Sequence, residues 1–170
     1  MTDCYSRGEN DSRGDDSQML QQYPVQQASE ADGVLIQFLA LLGPSVENAL
    51  RARRMLLADL DQARRDPANA FVRVGRTSRR CVRAFHETLM RMKKATVPAE
   101  ASECARELEA WLAAHVEACD LMSRAAAVQD GESLRKAVRC LCDGAPHAAR
   151  FNDARVRLVR RLVASSVTTN

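Results

Sequence analysis

Aromatic residues and glycine are scarce in this sequence. Aromatic side chains make up 4% of the chain, and only seven of its 170 residues are glycines. Aromatic residues favour strands, so their scarcity argues against a fold built on a sheet. It also removes the side chains on which the bases of single-stranded nucleic acids usually stack. The chain is instead rich in alanine, leucine and arginine, which are strong helix formers, and the composition therefore predicts an all-α protein.

Long apolar runs are also missing. The most apolar stretch, 34–42, is nine residues long, whereas a helix needs roughly 20 apolar residues to cross a bilayer. The first residues, MTDCYSRGENDSRGDDSQ, contain no apolar core of a signal peptide. We therefore expect a cytoplasmic protein without a membrane span. Its six cysteines would then be reduced and behave as small apolar side chains.

The first 30 residues differ in composition from the rest of the chain. They contain six acidic residues and two arginines and few apolar side chains. Such a segment cannot bury enough apolar surface to offset the entropy of ordering it. The sequence therefore predicts a disordered acidic tail over residues 1–30, followed by a single domain over residues 31–165.

Proline and glycine divide that domain into four amphipathic segments. The divisions fall at Gly43-Pro44, Asp66-Pro67, Val97-Pro98 and Asp130-Gly131. Apolar residues repeat at intervals of three and four within each segment, which predicts helices over about 32–66, 67–95, 98–130 and 132–164. Gly43-Pro44 should kink the first helix or split off a short leading helix, and Pro146 should kink or briefly break the last one. Short connections between long helices predict an antiparallel, up-down-up-down four-helix bundle.

Charge is distributed unevenly among the four predicted helices. Residues 51–94 have a net charge of +9, residues 98–132 a net charge of −6, and residues 134–162 a net charge of +6. An acidic third helix that neutralises two basic neighbours explains this pattern. The alternative is a basic groove for nucleic acid or anionic lipid. We prefer the first explanation and do not expect a nucleic-acid partner, because aromatic side chains for base stacking are almost absent.

His115 is the histidine that the helical pattern places at the centre of an apolar stripe. It is expected to be buried, either as a hydrogen-bonded core residue or as a ligand-binding group. Cys119 lies one turn further on, so His115 and Cys119 could contact the same metal ion. Further ligands would have to come from other helices, with Cys81 and Cys104 as candidates. The spacing matches no known zinc motif, and scattered cysteines at core positions are more often packing residues than metal ligands.

Asn152 and Arg155 also fall within a predicted apolar stripe, on the fourth helix. Burial of an amide or a guanidinium requires hydrogen-bond partners. Three explanations remain open. These side chains could bond to neighbours and fix the packing of the helix, they could lie at an open end of the bundle, or they could line a pocket for an anionic or polar ligand. The third explanation places His115, Asn152 and Arg155 in one ligand site.

Arg79 and Arg80 precede His86 at a spacing that is similar to the arginine–histidine spacing of HEPN-type RNases, which are helical. Cys81 follows Arg80 where that family usually has a polar residue. The resemblance implies an RNA-binding or RNase centre at these three residues.

The sequence contains no catalytic or cofactor motif, so it predicts no catalytic residue and no cofactor. We therefore expect a non-enzymatic bundle that acts through protein–protein interaction, either as a homodimer or with a helical partner protein. The first alternative is a small-ligand or metal-binding bundle that uses His115 and Arg155. The second alternative is a HEPN-like RNA-binding or RNase domain.

Overall fold

The regular secondary structure of this protein is entirely helical within the part of the chain that a computed structural model describes: the backbone of residues 16–168 and the side chains of residues 32–165. The helices are α1 (Asp16–Arg65), α2 (Ala70–Lys94), α3 (Ser102–Val128), α4 (Gly131–Asp143) and α5 (Ala145–Thr168). Short 3-10 turns over Pro67–Asn69 and Ala99–Ala101 lead into α2 and α3. The predicted all-α class is confirmed.

The helix ends follow the residues that the sequence suggested. Pro67 opens the turn before α2, where its missing N–H group is not needed. Helix α3 ends at Val128 and is followed by Gln129, which adopts the left-handed conformation with φ of 54°. Asp130 then caps α4, because its carboxylate accepts hydrogen bonds from the Glu132 N–H at 2.9 Å and from the Ser133 hydroxyl at 2.5 Å.

Helix α1 is longer and more continuous than the sequence predicts. It begins at Asp16, so the backbone is helical over the second half of the stretch predicted as a disordered tail. Residues 1–15, and the side chains of residues 16–31, lie outside the described residues. Helix α1 also continues through Pro44, so no separate leading helix is formed. Leu42 and Ser45, on either side of that proline, are buried, and their packing stabilises the helix despite the hydrogen bond that Pro44 cannot make.

The predicted interruption near Pro146 is confirmed as a short break at Gly144, which separates α4 from α5. Pro146 falls in the first turn of α5, where proline is tolerated. Gly144 is buried, and a Cβ atom built on it would lie 3.3 Å from the Ala114 Cβ of α3. Glycine therefore lets this joint lie close to α3. Together, α4 and α5 form one interrupted rod, which we call the C-terminal rod.

The helices form an antiparallel bundle that is open along one side. Helix α1 packs against α2, α2 against α3, and α3 against both halves of the C-terminal rod. Fully buried side chains from α1, α2 and α3 fill the core, among them Leu56, Phe85, Leu108, Leu112 and Met122. Helix α1 and the C-terminal rod are not among the closely packed pairs. A closed four-helix bundle would pack these two elements against each other, so the bundle is open on this side.

Arginines of α5 pair with two glutamates of α3 and with one glutamate of the 3-10 turn before it. The three pairs are Glu100–Arg161 at 3.6 Å, Glu103–Arg157 at 2.7 Å and Glu107–Arg150 at 2.8 Å. Among residues 32–165, no salt bridge joins an α3 carboxylate to a basic residue of α2. The acidic third helix was expected to neutralise both basic helices beside it. Within the described residues, its salt bridges reach α5 but not α2.

Candidate functional site

A long groove lies between α1 and the C-terminal rod, and we call it the open groove. Four cavities follow one another along it, with volumes of about 510, 280, 90 and 410 Å³ from the α4 end to the α5 end. Neighbouring cavities share Leu60 and Val138 at one end and Leu50 and Phe151 at the other. The two middle cavities share no residue, but they lie one helical turn apart on both walls, at Leu50 and Arg53 on one side and at Ala145 and Ala148 on the other.

The α1 wall of the open groove is a regular stripe. Its members alternate at intervals of four and three: Leu39, Gly43, Val46, Leu50, Arg53, Leu57, Leu60 and Arg64. This spacing is the heptad pattern with which a helix packs against a partner helix. Leu50 and Leu57 nevertheless remain 41% and 39% exposed. The wall is thus patterned for a helical neighbour, but the described part of the chain supplies none that covers it.

The opposite wall has the same pattern, and it continues across the break at Gly144. Its stripe is Leu134, Val138, Leu141, Ala145, Ala148, Asn152, Arg155 and Val159. The end of α1 near Leu60 faces the start of α4, whereas the region near Leu39 faces Val159 of α5. The two walls are therefore antiparallel and in register along the whole groove.

The structure places Asn152 and Arg155 on the predicted stripe but exposes both side chains. Of the three explanations that the sequence left open, burial against hydrogen-bond partners is not found, because α1 does not pack closely against the rod at this point. The periodicity of a sequence gives the direction of a side chain and does not show whether a neighbouring helix approaches it. Arg155 lines the 410 Å³ cavity and Asn152 the 90 Å³ cavity. Neither of these cavities is lined by His115.

His115 is buried as predicted and is 1% exposed. Its Nδ1–H donates to the Trp111 carbonyl oxygen at 2.8 Å, so Nε2 is left as an acceptor. Nε2 has no partner among the described residues. The ring packs between Phe85 and Trp111, with centroid distances of 4.8 and 4.4 Å. Burial, and to a smaller extent the charge of Arg53, lowers the pKa of His115 to about 4, so the ring is neutral at pH 7.

The structure does not bring His115, Asn152 and Arg155 into one ligand site. His115 packs in the aromatic cluster of the core, while the other two line the open groove. The metal hypothesis lacks ligands as well: among residues 32–165 no group of three or more His, Cys, Asp or Glu side chains is placed to hold an ion. Burial also raises the pKa of Cys119 to about 12, which disfavours the thiolate that a metal requires.

The open groove carries an excess of positive charge. Five arginines line it, namely Arg53, Arg64, Arg135, Arg139 and Arg155, and none of them forms a salt bridge within residues 32–165. Its two lining carboxylates are already paired on α1, Glu47 with Arg51 at 3.6 Å and Asp61 with Arg65 at 2.6 Å. The groove therefore combines two apolar stripes with uncompensated guanidinium groups.

Arg79, Arg80 and His86 lie on the outer face of α2, and all three side chains are exposed. No hydrogen bond within residues 32–165 joins His86 to either arginine. The resemblance to a HEPN-type centre is therefore not accompanied by an assembled acid–base pair in the described residues. These arginines instead belong to a larger basic surface that faces away from the open groove.

One stretch of α1, Asp32–Arg65, is long and apolar enough to cross a membrane, with a mean hydropathy of 1.4 over its most apolar window. Core helices of soluble proteins have the same length and composition. Signal sequences near the N-terminus also have this composition. Leu35, Phe38, Leu42 and Leu56 of this stretch are buried, but only 28% of its most apolar window is buried in the bundle.

Sequence reasoning found the stripe of the C-terminal rod but missed the groove. The α1 sequence does contain a signal for the groove. Arg53 and Arg64 fall at heptad spacing among the leucines of its stripe, which marks that stripe as partly exposed. Comparison with known proteins adds no assignment: no protein-family model matches this chain, and no curated protein or solved structure shows significant similarity to it.

Proposed function

We propose that this protein is a helix-binding module that receives an amphipathic helix of a partner protein in the open groove. The observation that carries the proposal is the pair of antiparallel heptad stripes that line the groove, since α1 and the C-terminal rod are not among the closely packed helix pairs. In helical bundles, stripes of this kind are buried against a neighbouring helix.

The length of the groove corresponds to one helix. The α1 stripe runs from Leu39 to Arg64, which corresponds to about 38 Å at 1.5 Å per residue. A partner helix of about 25 residues would therefore fill it. Anchoring side chains at i, i+3, i+4 and i+7 would enter the cavities, as in other helix-in-groove complexes. The Leu50–Phe151 region at the middle of the groove is the natural place for the central anchor.

The charge of the groove selects the partner. The five unpaired arginines favour a helix that carries carboxylates beside its apolar stripe. The same charges disfavour a symmetric dimer in which two grooves face each other, because the second copy would add five more arginines and no unpaired carboxylate to the interface. A heterologous acidic helix is therefore a better occupant than a second copy of this chain.

A designed peptide tests the proposal. The probe is a 25-residue amphipathic helix with leucine at positions a and d and glutamate at positions e and g, titrated into the full chain by calorimetry. Its matched control has lysine in place of every glutamate. We expect the acidic peptide to bind in a 1:1 complex and at least tenfold more tightly than the basic peptide, because only the former compensates the arginines.

A pair of variants locates the binding surface. Leu50→Asp with Leu57→Asp changes two exposed leucines in the groove, whereas Val72→Asp with Val128→Asp changes two exposed valines elsewhere. The groove variant should weaken binding of the acidic peptide at least tenfold, and the control variant should bind it like the unmodified chain. Equal effects of the two variants would contradict the proposal. So would a stable dimer in light scattering that the groove variant dissociates, since a second copy would then be the occupant.

A further inference from the structure

The outer face of α2 carries a cluster of arginines that the open groove does not use. We define the arginine face as Arg76, Arg79, Arg80 and Arg83, all of which are exposed. Their spacing makes four pairs of neighbours at i,i+3 or i,i+4, in which Cβ atoms of a helix lie about 5–6 Å apart. Like charges at these spacings destabilise a helix. The folded chain therefore keeps an unfavourable arrangement at its surface.

The protein itself supplies little counter-charge for this face. Arg83 pairs with Glu87 at 2.7 Å, but Arg76, Arg79 and Arg80 form no salt bridge with any residue among 32–165. The acidic helix α3 directs its pairs toward α5 instead. Neutralisation by α3 was the explanation that we preferred for the positive charge of this helix, and no salt bridge between α3 and α2 is found in the described residues.

The helix dipole does not explain the arginine face either. The last turn of α2 contains Arg91, Lys93 and Lys94, where cations are stabilised by the negative end of the dipole. The arginine face instead lies more than two turns before that end of the helix, and the first turn of α2 contains no acidic residue. Among residues 32–165, a carboxylate pairs only with Arg83 of this cluster, so an external anion would have to neutralise the other three arginines.

We propose that the arginine face binds the phosphate backbone of double-stranded nucleic acid, independently of the open groove. Guanidinium groups form paired hydrogen bonds to phosphate oxygens. The exposed cations extend from Arg76 to Lys94, about 27 Å along the helix at 1.5 Å per residue. This length corresponds to about eight base pairs at 3.4 Å per step. The surface can thus contact several phosphates along one duplex.

Two other anionic partners fit this surface less well. Single-stranded nucleic acid is usually held by base stacking on aromatic side chains, and the exposed face of α2 within residues 32–165 carries no Phe, Tyr or Trp. Membrane-bound helices insert an apolar side into the lipid. The apolar side of α2, which includes Val74, Phe85 and Met92, is already buried in the bundle. Contacts limited to phosphates would be independent of base sequence and strongly dependent on salt.

The test measures binding of the full chain to a 20-base-pair DNA duplex of arbitrary sequence by fluorescence anisotropy between 50 and 200 mM salt. The variant is Arg76→Gln, Arg79→Gln and Arg80→Gln together. The control is Arg135→Gln, Lys136→Gln and Arg139→Gln, which removes the same charge from three exposed positions on α4. Circular dichroism establishes that both variants remain helical.

We expect the α2 variant to bind at least tenfold more weakly at 100 mM salt. Its plot of log K against log salt concentration should be shallower by about 2–3, since three phosphate contacts are lost at about 0.9 each. The α4 control should change the slope by less than 1. Equal losses in both variants would overturn the proposal, because net charge alone would then explain binding. Tighter binding to a 20-nucleotide single strand, to anionic vesicles or to a polyglutamate peptide would overturn it in favour of that partner.

Discussion

The α2–α3 interface and the open groove are built from similar apolar periodicity, yet one is closed and the other is not. At the closed interface, Gly75 allows such close approach that a Cβ atom on it would lie 2.7 Å from the Ala126 Cβ. Phe85 there meets Trp111 edge to face, with centroids 6.1 Å apart. Across the groove, the equivalent positions include arginines that would lose their hydration on closure. Small and aromatic residues complete one interface, whereas charge within the stripe keeps the other open.

The largest difference between the two regions should appear on removal of one large side chain from each. Phe85 is fully buried, so Phe85→Ala should lower the free energy of unfolding by about 3–5 kcal/mol. Leu50 is 41% exposed in the groove, so Leu50→Ala should cost about 1 kcal/mol or less. Urea denaturation of both variants measures the two values. A similar loss in both would mean that the groove is closed in solution.

The closed region should also make the protein sensitive to acid through His115. Its pKa of about 4 in the folded protein lies below the ordinary value of 6.5, so the unfolded chain takes up the proton first. The free energy of unfolding therefore falls as the pH decreases from about 6.5 to 4, by up to about 3 kcal/mol. His115→Phe keeps an aromatic ring in the cluster and should remove this part of the pH dependence. Denaturant titrations of both proteins at pH 7 and pH 4.5 measure the change, and identical pH dependence would contradict the burial of a neutral imidazole.

Replacing either of two glycines by alanine should change the stability of the protein in opposite directions. Gly75→Ala should destabilise the protein by about 1–3 kcal/mol, because the added methyl group overlaps Ala126. A Cβ on Gly33, in α1, meets nothing within 4 Å. Gly33→Ala should therefore stabilise α1 by about 0.5–1 kcal/mol. Calorimetric melting temperatures should move in opposite directions, and a decrease for both variants would place another element against Gly33.

A smaller effect concerns the salt bridges that hold α5 on α3. Glu107 accepts hydrogen bonds from Arg150 Nε and His147 Nδ1, both at 2.8 Å, and its side chain is 9% exposed. Arg150 and His147 lower the pKa of Glu107 to about 2, so its contribution is lost as the pH falls from about 4.5 toward 2. Glu107→Gln should lower the melting temperature at pH 7 more than Glu103→Gln, because Glu103 and Arg157 are both about half exposed. The reverse order would show that burial does not govern these pairs.

Much of the fold is predictable from local chemistry. Pro67, Asp130 and Gly144 mark the points at which helices begin or end, because their backbone and side-chain preferences act within a few residues. The burial of His115 follows from its place between Trp111 and Cys119 on an apolar stripe. These features depend on the sequence within one or two helical turns.

The features that could not be predicted depend on how helices meet. Asn152 and Arg155 were correctly placed on a stripe, but the distance between α1 and the rod decides whether that stripe is buried. The net charge of α3 likewise does not specify whether Glu103 or Glu107 faces α2 or α5. Both questions are decided by tertiary packing, for which the sequence offers no local signal.

Trp111 gives the protein a built-in optical probe. It is the single tryptophan of the chain, it lines the 90 Å³ cavity beside Leu50, and its ring lies 4.4 Å from that of His115. Its emission should shift when a guest side chain fills that cavity, and it should be quenched when the imidazole takes up a proton. One fluorophore thus reports on the open side and on the closed side of the molecule without a label.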